Sequence, residues 1–182
     1  MNILVLTAHP DLASSSINKT WFDALSKVGT IITRDLMSVG GENMIFDPAS
    51  EQALLQSADR IVLQFPFYWY SSPPVLKAWL DQVLLAGFAY GPGGDKLRGK
   101  ELVLAISTGG PAQSYAFDSY NRLPISAFLT PFEQTAKMVG MTYLPPFVLY
   151  SAMGKDVPSK EASVASLISH IRTPRQLLEV AI

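Results

Sequence analysis

Three stretches hold the groups that could do chemistry. In the first, Ala8-His9-Pro10-Asp11-Leu12-Ala13-Ser14-Ser15-Ser16, three serines stand just before an apolar-periodic segment that starts near Ile17. Hydroxyls beside the free N–H groups of a helix N-terminus make an uncharged cradle for phosphate. The same residues also suit a solvated loop with Ser16 as N-cap. His9 could donate a hydrogen bond to that phosphate, carry partial positive charge, or cap the loop. The second stretch, Phe65-Pro66-Phe67-Tyr68-Trp69-Tyr70-Ser71-Ser72-Pro73-Pro74, is a run of aromatics framed by prolines. It suits a flat, partly apolar ligand, or rings that simply cover the edge of a sheet. The third is Thr108-Gly109-Gly110-Pro111, with Tyr115 four residues on. Adjacent glycines let backbone N–H groups approach a ring or an anion closely, and they also make an ordinary turn.

Other chemistries lack their residues. The dinucleotide fingerprint G-x-G-x-x-G after the first strand, the P-loop G-x-x-x-x-G-K-[ST] and the hydrolase elbow G-x-S-x-G are absent. With no cysteine, disulfides, thiolate zinc sites and a cysteine nucleophile are excluded. His9 has no partner at a metal-ligand spacing, so no metal is expected. His170, the other histidine, reads as structural.

The elements that must position these loops follow from the pattern of apolar residues. Asn2–Thr7, nearly all apolar, reads as a strand buried on both faces. Thr30–Leu36 is a weaker strand that suits an edge, Arg60–Phe65 a third that Pro66 should end, and Glu101–Ser107 a fourth. Thr142–Tyr150 is a fifth, interrupted or bent at Pro145-Pro146. Helices are expected from Ile17 to Gly29, from Ser50 to Ser57 with Ser50 as cap, and from Pro74 to about Leu85. Two more run from Pro124 to Val139, with a break at Pro131, and from Ser159 to about Leu178, kinked or divided at Pro174. Met37–Pro48 has no clear period and reads as loop. Strand and helix thus alternate five times, the pattern of an α/β doubly wound sheet with helices on both faces. Ligands of such sheets bind in loops at the carboxyl ends of the strands. The three chemical stretches are three such loops and should converge.

The chain has 182 residues, 48% of them hydrophobic and 16% charged, which suits one folded domain over residues 1–182. A net charge of −1 provides no basic field for nucleic acid. No apolar run reaches the length of a membrane span, and the amino terminus lacks the pattern of a signal peptide.

At these residues the sequence resembles the flavodoxin-fold NAD(P)H:quinone oxidoreductases. That group also includes the ancillary proteins of glutathione-gated potassium efflux systems, to which the likeness is greatest. The matching stretches are Thr7-Ala8-His9-Pro10 with Ser16-Ile17-Asn18, and Phe65 to Pro74 with Leu76-Lys77-Ala78-Trp79. Gly87-Phe88-Ala89-Tyr90-Gly91, Thr108-Gly109-Gly110 and Leu144-Pro145-Pro146-Phe147 complete them. The resemblance implies a five-stranded parallel sheet ordered 2-1-3-4-5, with a flavin at the ends of strands one, three and four. It implies FMN, with FAD as the alternative, and NAD(P)H as electron donor. His9, Ser16, Ile17 and Asn18 would hold the flavin phosphate region, and Pro66, Phe67, Tyr68 and Trp69 would line the ring. Thr108, Gly109, Gly110 and Tyr115 would contact the ring, with Gly109, Gly110 and Tyr115 in the catalytic role. Phe88 and Tyr90 would close the substrate pocket over the partner subunit of a homodimer. Some relatives carry a histidine a few residues beyond the equivalent of Tyr115; here Asn121 stands near that place.

The chemistry implied is hydride transfer from NAD(P)H through flavin to a quinone-like acceptor. The alternative is a flavin-binding regulatory subunit of a potassium efflux transporter; a plain electron carrier is a third reading. The expected location is the cytoplasm, or the periphery of the inner membrane through a protein partner, because no basic amphipathic patch would bind lipid directly.

Overall fold

The computed structural model describes residues 1–155 and 157–178, except the side chains of 157 and 158. Along the chain run β1 (Ile3–Thr7), α1 (Ile17–Leu25), β2 (Ile31–Asp35), α2 (Leu36–Gly40) and α3 (Pro48–Ser57). There follow β3 (Arg60–Pro66), α4 (Pro74–Val83), β4 (Glu101–Ser107), a 3-10 turn (Ala112–Ser114) and α5 (Ile125–Met138). β5 (Thr142–Tyr143), β6 (Phe147–Leu149), α6 (Val157–Arg172) and α7 (Arg175–Leu178) complete the described chain. All pairings are parallel, in the order β2-β1-β3-β4-β5, with β6 also on β4. β5 and β6 are two pieces of one fifth strand. They part at Pro145-Pro146 because proline has no N–H for the ladder.

Alternation along each strand divides the core in two. Leu4, Leu6, Ile61, Leu63, Phe65, Leu102, Leu104 and Ile106 face α3, α4 and α5. Ile3, Val5, Val62, Val103 and Ala105 face α1, α6 and α7. Helices therefore cover both faces, and the carboxyl edge of the sheet is left to the loops.

Several local expectations are corrected. α5 runs unbroken through Pro131. The Ala127 carbonyl that a residue 131 N–H would bind instead accepts from the Thr130 hydroxyl at 3.0 Å. α1 ends at Leu25, before Gly29. The Ser16 side chain caps nothing; Ser15 Oγ accepts the Asn18 N–H at 3.2 Å. Asp47, rather than Ser50, caps α3, accepting from the N–H groups of Ala49 and Ser50. Met37 to Gly40 is helical, entered from Asp35 as N-cap. Gly94 to Lys100 does spell the first seven positions of a P-loop, but Glu101 stands where that motif needs Ser or Thr. The stretch also enters a strand instead of leaving one, and Lys100 Nζ is bound to the carbonyls of Gln56 and Ala58.

Two buried ionic clusters tie the layers together. Glu51 of α3 accepts from Arg34 of β2 and, at 2.9 Å, from Trp79 Nε1 of α4. Arg60, fully buried on β3, pairs with Glu101 at 2.7 Å and donates to the carbonyls of Ile171 and Thr173 at the end of α6.

Candidate active site

The loop after β1 is shaped by its own short side chains. His9 is 8% exposed, and its Nδ1 accepts the Asp11 N–H at 3.1 Å. In the neutral ring the proton must then sit on Nε2, which becomes a donor. Ser14 N–H and hydroxyl are both turned onto Asp11, at 3.2 Å each. Ser16 and Ile17, at the mouth of α1, have N–H groups with no acceptor inside the helix. These donors open on a cavity of about 600 Å³, lined also by Pro66, Phe67, Tyr68, Ser107, Gly109 and Met153. A helix N-terminus with neutral donors around it suits a phosphate.

Burial lowers the His9 pKa against the opposing pull of Asp11 and Asp35. A folded-state pKa below the ordinary 6.5 means that the unfolded chain binds more protons in acid. Stability is therefore complete above about pH 6.5 and falls as pH drops from there through the lowered value. Thermal melts of the protein at pH 7.5 and 5.5 should show a larger loss for the native chain than for His9→Gln. Equal losses would remove His9 as the cause.

The loop after β3 turns sharply. Phe67 N–H donates to Ser107 O at 2.8 Å, so the pairing of β3 with β4 continues past Pro66. Tyr68 and Ser71 then exchange backbone bonds of 3.0 and 2.9 Å around Trp69 and Tyr70, which have φ of +49° and +62°. Two consecutive left-handed residues define a type I′ turn, a geometry that favours Asn-Gly and costs roughly 1–2 kcal/mol per ordinary residue. The turn leaves the Trp69 side chain 94% exposed. Phe67 is the hub behind it, edge-on to Tyr70, Tyr115 and Phe128 at 6.2, 6.1 and 6.0 Å, and Tyr70 stacks on Phe128 at 5.1 Å.

The loop after β4 closes a second pocket of about 300 Å³, which shares Phe67 and Gly109 with the first. The Tyr115 hydroxyl lies 2.7 Å from Thr108 Oγ1. Gly110 N–H donates to that same Thr108 oxygen at 3.3 Å, whereas Gly109 N–H has no protein acceptor among the described residues. Gly109 is thus the glycine with a free donor; Gly110 is turned inward. A Cβ on Gly110 would meet the Tyr115 ring at 3.3 Å, so the missing side chain is what lets Tyr115 fold back over the loop.

The structure gathers most of the expected residues and moves some. His9, Ser16, Ile17, Asn18, Pro66, Phe67, Tyr68 and Gly109 line the larger cavity. Trp69, Thr108, Gly110 and Tyr115 line the second pocket instead. Phe88 lines neither: it is a core residue, packed with the apolar side of α4. Tyr90 is exposed on its turn and also lies outside both pockets of this protomer. Asn121 does not back Tyr115; its Oδ1 accepts from Tyr70 at 3.2 Å. His170 binds the Pro145 carbonyl at 2.8 Å, a structural brace as expected. Sequence reasoning missed Phe128, Tyr150 and Met153, which reach the site from α5 and from the chain after β6. Only the 3.6-residue period of α5 could have placed Phe128 among the inward positions.

Comparison with known proteins places this architecture. Residues 1–172 match a family described as flavodoxin-like fold. The chain is 49% identical over 152 residues to the uncharacterized NAD(P)H oxidoreductase YdeQ of Bacillus subtilis, covering 84% of this chain and 77% of that protein. It is 40% identical over 170 residues to the glutathione-regulated potassium-efflux system ancillary protein KefG of Salmonella paratyphi B, covering 93% and 88%. Among solved structures, general stress protein 14 of Treponema denticola, in complex with FMN, superposes with a TM-score of 0.89 at 35% identity, covering 94% and 98%. An NADPH-quinone reductase from P. pentosaceus superposes with a TM-score of 0.86 at 30% identity, covering 96% and 99%.

Proposed function

The chain belongs to the flavodoxin-like-fold family of NAD(P)H oxidoreductases, and from that membership we propose an FMN-dependent NAD(P)H:quinone oxidoreductase, one domain over residues 1–182. The observation that carries this reading is the join between the two pockets. A donor-rich phosphate cradle and an aromatic strip meet at Phe67 and Gly109.

The residues fit a flavin mononucleotide. His9 Nε2–H, the Ser16 and Ile17 N–H groups and the Ser15 and Ser16 hydroxyls are donors without a fixed positive charge, suited to one terminal phosphate. Pro66, Phe67 and Tyr68 make one wall for a planar ring. On the same lining Gly109 presents bare backbone, where an added Cβ would lie 3.1 Å from Met153 Sδ. The volume of about 600 Å³ falls within the roughly 300–1,000 Å³ usual for cofactor sites. Bound there, the flavin supplies the two-electron chemistry between NAD(P)H and the acceptor. The chain supplies position and electrostatics. Gly109 N–H at the join and the Tyr115 phenol in the second pocket, braced by Thr108, are donors that would stabilise charge developing during transfer. Phe67 and Tyr70, backed by Phe128, give the second pocket flat apolar walls that orient an aromatic donor or acceptor.

The deciding experiment is FMN titration of the purified protein, followed by NAD(P)H oxidation with a benzoquinone or naphthoquinone acceptor. Saturable flavin binding with quinone-dependent turnover is expected; no flavin uptake would end this reading. Tyr115→Phe keeps the ring and removes the hydroxyl. Flavin binding should survive, and stopped-flow reduction of the flavin by NADH and NADPH should slow about tenfold to a hundredfold, the equivalent of one lost donor. Unchanged rates with both donors at saturation would remove the hydroxyl from the mechanism.

Trp69 and Tyr120 are exposed on the lining of the second pocket, and Phe117 is exposed on the loop that follows Tyr115, more aromatic surface than a solvated rim requires. A homodimer covers them, with Tyr90 reaching toward the partner's pocket. Light scattering checks the assembly, and full activity in a monomer would refute it. The likeness to KefG favours a second reading, a flavin-binding regulatory partner of a potassium efflux transporter. Co-purification with such a transporter, with a change in efflux, tests it. No helix of the described residues is long and apolar enough to cross a membrane, so attachment there would run through a protein partner from the cytoplasm.

A further inference from the structure

Behind the larger cavity lies a buried polar chain that the chemistry described so far does not use. On the sheet face toward α1, the apolar rows of β1, β3 and β4 end in Thr7, Gln64 and Ser107. Gln64 is fully buried. Its Nε2 donates to the Asn18 carbonyl at 2.9 Å and lies 3.5 Å from Asn18 Oδ1. Asn18, also buried, donates from Nδ2 to Ser107 Oγ at 3.0 Å. Ser107 accepts there and makes no bond as donor among the described residues, and it lines the cavity beside Gly109.

Taken together these bonds have a direction. The only hydrogens Gln64 can offer are on Nε2, so the Asn18 oxygens face Gln64 and the Asn18 N–H group faces Ser107. That N–H occupies a lone pair of Ser107, whose own proton is left for an acceptor in the cavity. If Asn18 turned its amide over, Oδ1 would take the serine proton and the cavity would lose a donor. An apolar side chain at position 64 would leave nothing on that side to oppose the turn. A buried Gln is costly to keep without return, since Gln64 Oε1 has no partner among the described residues. A polar side chain so placed is explained by the orientation it imposes.

We infer that Gln64 is a positioning residue that holds Asn18 in one orientation, so that the Ser107 hydroxyl donates to the bound flavin. This deepens the flavin-oxidoreductase reading and rests on it. The wall formed by Ser107 then acts as a fixed donor to one acceptor atom of the cofactor, set from two residues away.

The test is a double-mutant cycle read by FMN fluorescence quenching and by the midpoint potential of the bound flavin, with circular dichroism as the folding control. Gln64→Met and Ser107→Ala should each weaken FMN binding about tenfold and shift the potential in the same direction. The double variant should lose no more than Ser107→Ala alone, because Gln64 acts through the hydroxyl. Losses that multiply, or native affinity and potential in Gln64→Met, overturn the proposal. If Gln64→Met does not fold, Gln64→Thr replaces it in the cycle: it keeps a small polar, β-branched side chain in the strand, its hydroxyl is too short to reach Asn18, and the same non-additive loss is expected. The native titration reports on the flavin reading by itself, so a native protein that binds FMN while the cycle is additive sinks only the role of Gln64.

Discussion

Ser16→Pro is expected to weaken FMN binding by about 10²–10⁴-fold while leaving the fold in place. Ser16 has φ −70° at the mouth of α1, close to the angle a proline ring imposes. Its hydroxyl makes no capping bond, and its carbonyl, which accepts from Thr20 at 2.7 Å, is unchanged by the substitution. Proline removes one backbone N–H and one hydroxyl from the cradle together. Each is a hydrogen bond to a charged group, worth roughly 1.5–3 kcal/mol; two of them correspond to the stated range. Fluorescence titration gives the affinity, and the melting temperature of the flavin-free protein shows whether the helix survived. Ser16→Ala, which keeps the N–H, should fall between native and proline. Native affinity in Ser16→Pro with an unchanged melt would mean that the phosphate is held elsewhere.

Arg60→Met should cost about 3–5 kcal/mol of stability, the usual penalty for removing one partner of a buried ion pair. The guanidinium lies at the foot of β3 with no exposed surface. Methionine fills much of the space and leaves the Glu101 carboxylate without its counter-charge. It also strands the Ile171 and Thr173 carbonyls at the end of α6, where helix carbonyls have no intrahelical donor. At roughly 2–4 °C per kcal/mol for a domain of this size, the melting temperature should fall by about 6–20 °C. Arg60→Met/Glu101→Leu should recover much of that loss by removing the orphaned charge as well. If the single variant melts like the native protein, water reaches this corner and the cluster is not a structural clasp.

The order of strands and helices was legible along the chain because strands buried on both faces must be continuously apolar. Arg60–Phe65 and Glu101–Ser107 have that form, and a proline or glycine follows closely at each end. The three site loops were legible for a related reason: serines before a helix, aromatics after a strand-ending proline and paired glycines are each unusual in a plain connection. One proline, Pro131, was over-read as a break, whereas the helix expected from Ser159 does divide at Pro174. At Pro131 a neighbouring hydroxyl, Thr130, takes up the carbonyl that proline leaves free, and packing of Leu129, Phe132 and Ala136 keeps the helix whole. At Pro145-Pro146 the strand does part, because a ladder on an edge has no such substitute donor.

By itself, the sequence determined the α/β class, the alternation that puts helices on both sheet faces, and the strand ends at which a ligand would sit. Those are properties of local pattern, period and backbone chemistry. Only the tertiary structure decided which donors remain free. Gly109, on the lining of both pockets, keeps an N–H with no acceptor among the described residues while Gly110 N–H is bound to Thr108, and Asn121 serves Tyr70 rather than Tyr115. Phe88 went to the core although its loop looked like a pocket wall. Gln64 is an internal strand residue whose meaning depends on Asn18, 46 positions away. A hydrogen bond is a pairwise choice among groups brought within about 3 Å, and residue order does not record which distant groups will meet.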